Sequence, residues 1–221
     1  KVGILPFPGE EFYLKRDATD TKAKRYHVGI VAFTTQGYES LVKLSSRSHT
    51  RARFHHKPHI DFADMAEWYE RGMTQGLALT TGCYFGMVQQ ALVNGGMDDA
   101  EYLIKTFAKW FPHTYVELQH HNIDHEEGFT DHELTEQLAQ VAHDLGLPIV
   151  ITQDAHYCSI DDKPQHETLK RLISWGEDGD DAVFPGDGFH LADDRFVRSH
   201  YGGVGQWGLW ERGIEGLQDL L

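Results

Sequence analysis

The sequence predicts an α/β domain built on a mainly parallel sheet, open or closed into a barrel. Three observations predict it. Short apolar runs, several of them β-branched, alternate with longer stretches of helical periodicity. That alternation implies right-handed β-α-β units. Thiol, imidazole and carboxylate residues then gather at or just past the ends of several apolar runs, where ligand chemistry collects in such sheets.

Taken in order, Val2 to Phe7 is an apolar run closed by Pro8-Gly9, and Glu10 to Leu14 resumes as a strand. Residues 15–25 are charged and unpatterned, which predicts an exposed connection. His27 to Phe33 is the next strand, and residues 37–48 carry Tyr38, Leu41, Val42 and Ser45 at helical spacing. Residues 51–59 form a locally basic stretch that reads as a solvated loop, with phosphate contact as the other reading. A helix over residues 61–71 puts Phe62, Met65 and Trp68 on one face. Gly76 to Thr81 is a strand that stops at Gly82-Cys83. Helices follow over 85–93 and 98–111, the second burying Leu103, Ile104, Phe107 and Phe111. Tyr115 to Gln119 is a strand leading into His120-His121. Thr130 and Glu133 form a capping box before a helix whose face is Leu134, Leu138, Val141 and Leu145, stopped by Gly146. One more helix spans 161–175, and from Gly176 the texture turns to Gly- and Asp-rich loop.

The most informative stretch is Gly146 to Tyr157. Ile149, Val150 and Ile151 predict a strand buried on both faces, with Pro148 at its start, where a missing N–H costs least. Asp154 and His156 follow at i and i+2, a spacing that puts both side chains on one side of an extended segment. The pair reads as half of a divalent metal site or as loop residues capping neighbouring backbone.

With 221 residues the chain holds one sizeable domain or two small ones. Its 40% apolar and 24% charged residues are those of an ordinary globular protein. No apolar run approaches 20 residues, and no signal-peptide pattern is present, so membrane and secretory readings fall away. Cys83 and Cys158 cannot make a disulfide framework, which predicts a cytoplasmic location. A net charge of −14 argues against gripping a phosphate backbone by bulk charge, but not against a small metal site, whose cations reverse the local sign. Of the 15 histidines, His55, His56, His113, His125, His132 and His143 read as surface or core residues.

An ordered set of runs resembles the PHP (polymerase and histidinol phosphatase) domain at the N-terminus of bacterial replicative DNA polymerase III alpha subunits. The runs are Gly9 to Tyr13, His27 to Ala32, Gly37-Tyr38 through Ser46, and Gly76 to Cys83. Glu117 to Gln119, Thr152 to Tyr157 and Gly188 to Leu191 continue in the same order, covering about residues 1–197. The resemblance implies a distorted seven-stranded β/α barrel with up to three metal ions at the strand C-termini. It implies Glu11, His27, Cys83, Asp154 and His156 as ligands, with Asp154, His156 and Glu11 central to catalysis. Such a donor set suits zinc or manganese, with magnesium the less favoured choice. The activity implied is phosphodiester hydrolysis, as a 3′→5′ exonuclease on a DNA primer end, beside a polymerase core and away from any membrane. A catalytically inactive scaffold and a free-standing small-molecule phosphoesterase are the alternatives.

His27 begins its strand rather than ending it, so it reaches such a rim only if that strand is locally antiparallel. Cys83 alone reads equally as a small buried hydrophobe. Cys158 reads as structural, His121 as a residue behind the site or on the surface, and His49 as a packing residue. The family's opening His-x-His motif is absent, leaving five of nine ligand positions visible. That predicts a barrel incomplete at its N-terminus, with the missing strands upstream or on another polypeptide, and a chain not self-sufficient in folding. Residues 198–221 read as a linker or the start of a polymerase region.

Overall fold

The computed structural model describes residues 6–123, 130–173, 184, 186–201 and 208–220. The expectations for Ile4, for His125 and for the Gly- and Asp-rich loop from Gly176 fall outside these residues. Two strands open the fold, β1 (Gly9–Lys15) and β2 (Tyr26–Ala32), and α1 (Thr35–Ser48) follows. Three two-residue strands come next, β3 (Phe54–His55), β4 (Lys57–Pro58) and β5 (Ile60–Asp61), then α2 (Phe62–Glu70) and β6 (Leu77–Thr80). The chain continues through α3 (Met87–Gly95), α4 (Met97–Trp110), β7 (His113–Leu118), α5 (Asp131–Asp144) and β8 (Ile149–Ile151). A 3₁₀ turn (Ile160–Asp162) leads into α6 (Lys163–Ile173), and α7 (Asp194–Tyr201) and α8 (Leu209–Leu220) complete the described elements.

Six strands form one sheet in the order β5-β1-β2-β6-β7-β8. β6, β7 and β8 run parallel, but β2 is antiparallel to both β1 and β6. The mainly parallel sheet of the sequence reading is therefore mixed. Strand parity then sorts the side chains. Phe12, Leu14, Val28, Ile30, Leu77, Leu79, Val116 and Ile149 face the core shared with α1 to α5. Ala78, Tyr115 and Val150 face the other way and pack on Leu217 and Leu220 of α8.

α8 falls in the stretch expected to be a linker, yet it lies against β8. Gly213 and Gly216 make the approach possible. A Cβ at Gly216 would stand 1.8 Å from the Ile149 carbonyl oxygen, and one at Gly213 would stand 2.4 Å from the Ile151 side chain. Tyr115 Oη donates to Asp219 Oδ2 at 2.7 Å and fixes the helix's far end. The outer edge of β8 is thus covered by a helix, a common way to shield unpaired strand groups.

Three local expectations need correction. The buried face of α1 is Gly37, Ser40, Leu41, Leu44 and Ser48, while Tyr38 and Val42 are exposed, because the helix presents the small residues to the sheet. Residues 15–25 are not wholly exposed: Lys15 is fully buried, and its ammonium donates to the Asp20 carbonyl at 2.8 Å. The basic stretch is not simply a solvated loop either. Arg53 turns inward and binds Asp64 through two donors, Nε at 2.8 Å and an Nη at 3.1 Å. The capping box at Thr130 forms as expected, with Glu133 N donating to Thr130 Oγ1 at 3.2 Å, and Gly146 takes the positive φ of a helix stop.

Candidate functional site

The rim is built by strand direction. Because β2 is antiparallel, its first residues lie level with the C-terminal end of β6, and the His27 amide donates to the Phe85 carbonyl at 3.1 Å. The register pairs Tyr13 with His27 and Glu11 with Gly29, so Glu11, Tyr13 and His27 share one face. Gly29 lets Thr80 of β6 close against β2, since a Cβ there would stand 2.4 Å from Thr80 Oγ1.

Three strands meet at one imidazole nitrogen. His27 Nδ1 lies 3.0 Å from Glu11 Oε1 and 3.4 Å from Cys83 Sγ. Cys83 is buried, on a turn where Gly82 has φ +85 and packs so tightly on the His27 carbonyl that a Cβ would stand 2.8 Å from it. Asp154 and His156 form a second pair past β8, with His156 Nε2 2.9 Å from Asp154 Oδ1. The five residues therefore fall into a triad around His27 and a neighbouring pair. Among the described residues, no group of three or more His, Cys, Asp or Glu side chains is arranged to hold a metal ion as it stands.

Electrostatics joins the two groups. Burial raises the Glu11 carboxyl above its usual range, and the charges of Asp154 and Glu117 raise it further, with His156 opposing. Burial pushes the Cys83 thiol up to about 12, a backbone hydrogen bond with Phe85 lowers it, and Asp154, Glu11 and Glu117 add to the rise. Burial lowers His27 below the ordinary imidazole value, against the pull of Asp154, and Lys57 lowers it further. Among the described residues no Lys or Arg pairs with Glu11, Cys83 or Asp154. The donor set of two carboxylates, two imidazoles and a thiol thus fits a divalent cation chemically. A metal would offset both the burial and the smaller mutual repulsion that raise Glu11 and Cys83.

Around this group stand Tyr13, 5.1 Å from the His27 ring, and the exposed Phe85 at 6.1 Å. Lys57 Nζ donates to Tyr13 Oη at 2.7 Å. His121 is buried, stacks on Phe189 at 4.3 Å and reaches Gln119 Oε1 at 2.9 Å, behind the rim rather than on the surface. His49 sits on its own helix end beside Phe54. Cys158 is exposed, not a structural core residue.

Sequence reading put Glu117 at a strand end and in a family-like run but did not count it among the ligands. It is buried at the end of β7, on the same face as Tyr115, away from the core shared with α1 to α5. A carboxylate inside a strand run, two residues past Tyr115 and so on the same face, was the available signal. A groove of about 620 Å³ lined by Gly146, Pro148, Arg212 and Glu215 lies at the opposite end of β8 and takes no part in the rim.

A PHP domain family model matches residues 1–121, a span that includes Glu11, His27 and Cys83. The chain is 30% identical over 176 residues to a DNA polymerase III subunit alpha of Borreliella burgdorferi, covering 76% of this chain and 14% of that one. It is also 30% identical over 206 residues to the protein of that name from Deinococcus radiodurans, covering 85% and 14%. With the Saccharopolyspora erythraea protein of the same name the identity is 28% over 248 residues, covering 99% of this chain and 19% of the relative. The chain spans less than a fifth of the length of these relatives.

Proposed function

Because the chain belongs to the PHP domain family, we propose that its rim is a divalent-metal centre for phosphodiester hydrolysis in DNA replication, acting on the 3′ end of a DNA primer. The observation that supports this most is the meeting of Glu11 of β1, His27 of β2 and Cys83 of the turn after β6 at one imidazole nitrogen beside Asp154 and His156. The sheet is then one wall of a seven-stranded barrel, and the polymerase core named in the relatives is the partner. A cytoplasmic location accords with this; among the described residues no helix is long and apolar enough to cross a membrane. We place the domain over residues 1–197, with α8 as a brace that continues from it.

In this reading Glu11 and Asp154 supply hard oxygen donors, while His27, His156 and Cys83 bias the site toward zinc or manganese over magnesium. When bound, cations of this kind polarise a phosphodiester, make water more acidic and stabilise the leaving oxygen. The chain's own residues do the rest. Glu11 and Asp154 bring carboxylates to the rim, and His156 holds the Asp154 carboxylate in place by its 2.9 Å contact. Lys57, beside Tyr13, offers an exposed ammonium to a phosphate approaching His27. The side chains of Tyr13 and Phe85 limit water on that flank.

A non-catalytic scaffold is the second reading. It is favoured by the split of the five residues into a triad and a separate pair. Incubating the chain with a 5′-labelled single-stranded oligonucleotide and Mn²⁺ or Zn²⁺ separates the two. Stepwise shortening from the 3′ end, abolished by chelator and restored by metal, is expected. A full-length substrate under every metal condition supports the scaffold.

A further inference from the structure

We propose that Glu117 is the positioning residue of the rim, tying the Cys83 turn to the segment that carries Asp154. The proposal rests on the reading of that rim as a metal site, but its geometry stands apart from it. Glu117 Oε2 accepts from the Gly82 amide at 3.0 Å, the residue immediately before Cys83. Its other oxygen accepts from Thr152 Oγ1 and, at 2.9 Å, from Gln119 Nε2. Thr152 lies two residues before Asp154, in the segment that follows β8. One side chain at the end of β7 therefore clamps the ends of β6 and β8, its neighbours on either side in the sheet.

The clamp is tightened from behind. Glu117 N donates to Thr81 Oγ1 at 3.0 Å, and Gln89 Nε2 donates to Gly82 O at 2.6 Å. All three groups bonded to the Glu117 carboxyl are donors, and no Lys or Arg among the described residues pairs with it. An amide replaces it poorly: the NH₂ of a Gln would face either the Gly82 N–H or the Gln119 NH₂, both donors, while the Thr152 hydroxyl can turn to accept. Groups that orient metal ligands from behind commonly change metal affinity by about 10–100-fold.

The test uses the full chain and two independent readouts. Alkylation by N-ethylmaleimide is followed at both thiols, with exposed Cys158 as the internal reference for buried Cys83. Cobalt(II) titration follows the thiolate-to-cobalt absorption band. Glu117→Gln is expected to speed Cys83 alkylation at least tenfold, leave Cys158 unchanged, and weaken cobalt binding by about 10–100-fold. Thr152→Val, which removes the donor to Glu117 and the acceptor of Gln119 Nε2 but leaves the Gly82 link, should move both readouts the same way by less, and it covers the case in which Glu117→Gln does not fold. Leu138→Ala loosens the adjacent α5 wall without touching the carboxyl, and it should leave the cobalt band in place. Wild-type rates and affinity in both polar variants would overturn the proposal, as would a cobalt band displaced equally by Leu138→Ala. If the wild-type chain binds no cobalt, the metal reading fails. The alkylation rates then decide Glu117 alone.

Discussion

The two halves of the sheet bring their side chains to the rim by different routes. In the parallel half, β6, β7 and β8 all end there, so Cys83, Glu117 and Asp154 arrive where a strand stops. In the antiparallel half, β2 runs the other way and His27 arrives where a strand starts, with Glu11 reaching across from mid-β1. The halves are also anchored differently. The parallel half is held by apolar contact, α5 on one face and α8 on the other. The antiparallel half ends at β5, beside a buried charge network in which Arg53 and Arg47 bind the fully buried Asp64. A rim residue in such a fold is thus placed by strand direction, and its rigidity by whichever packing lies beneath.

If both halves serve one site, single changes in each should be equally damaging. Asp154→Asn and His27→Gln are each expected to lower oligonucleotide hydrolysis by well over the ~100-fold upper range for groups behind a ligand. Thermal unfolding midpoints should stay near wild type, since neither residue lies in the apolar core. A full rate in His27→Gln alongside a dead Asp154→Asn would break the comparison and confine the site to the parallel half.

The anchoring difference predicts where acid acts. Burial alone would raise the Asp64 carboxyl, but hydrogen bonds and charge from Arg53, with help from Asp61 N and Arg47, hold it below its ordinary value. A folded-state value below the unfolded one contributes stability that is complete above the ordinary 3.8 and is lost as pH falls through the folded value. Asp64→Ala should cost about 3–5 kcal/mol in urea unfolding at neutral pH, because it strips a mostly buried Arg53 of its main partner. It should also flatten the stability loss below about pH 4, where unperturbed carboxyls take up protons. In the parallel half, Thr130→Ala removes an exposed helix cap, expected to cost about 1 kcal/mol with no such acid dependence. A Thr130→Ala loss equal to that of Asp64→Ala would remove the distinction between the halves.

The same contrast governs how much could be read from the sequence. The parallel half was legible, because Gly76 to Thr81, Tyr115 to Gln119 and Ile149 to Ile151 each announce a strand followed by chemistry. The antiparallel half was not. Nothing in the composition of His27 to Phe33 states its direction, and only the resemblance singled out His27. The spacing of Tyr38, Leu41, Val42 and Ser45 announces α1 but not its buried face, because Tyr38 and Val42 are exposed while Gly37 and Ser40 are small enough to sit against the sheet. Arg53 hid within a basic run because its partners Asp61 and Asp64 follow eight and eleven residues later. Glu117 stood inside a strand run already noted, and its role depends on Gly82 and Thr152, 35 residues away on either side in sequence.

The central claim is that one metal site draws donors from both halves, with Cys83 among them. X-ray absorption at the zinc edge of the zinc-loaded chain tests it most directly. The expected first shell holds one sulfur at about 2.3 Å and nitrogen or oxygen at about 2.0–2.2 Å, with the sulfur lost in Cys83→Ser and kept in Cys158→Ser. A shell of nitrogen and oxygen alone, or a sulfur that disappears only in Cys158→Ser, would contradict it.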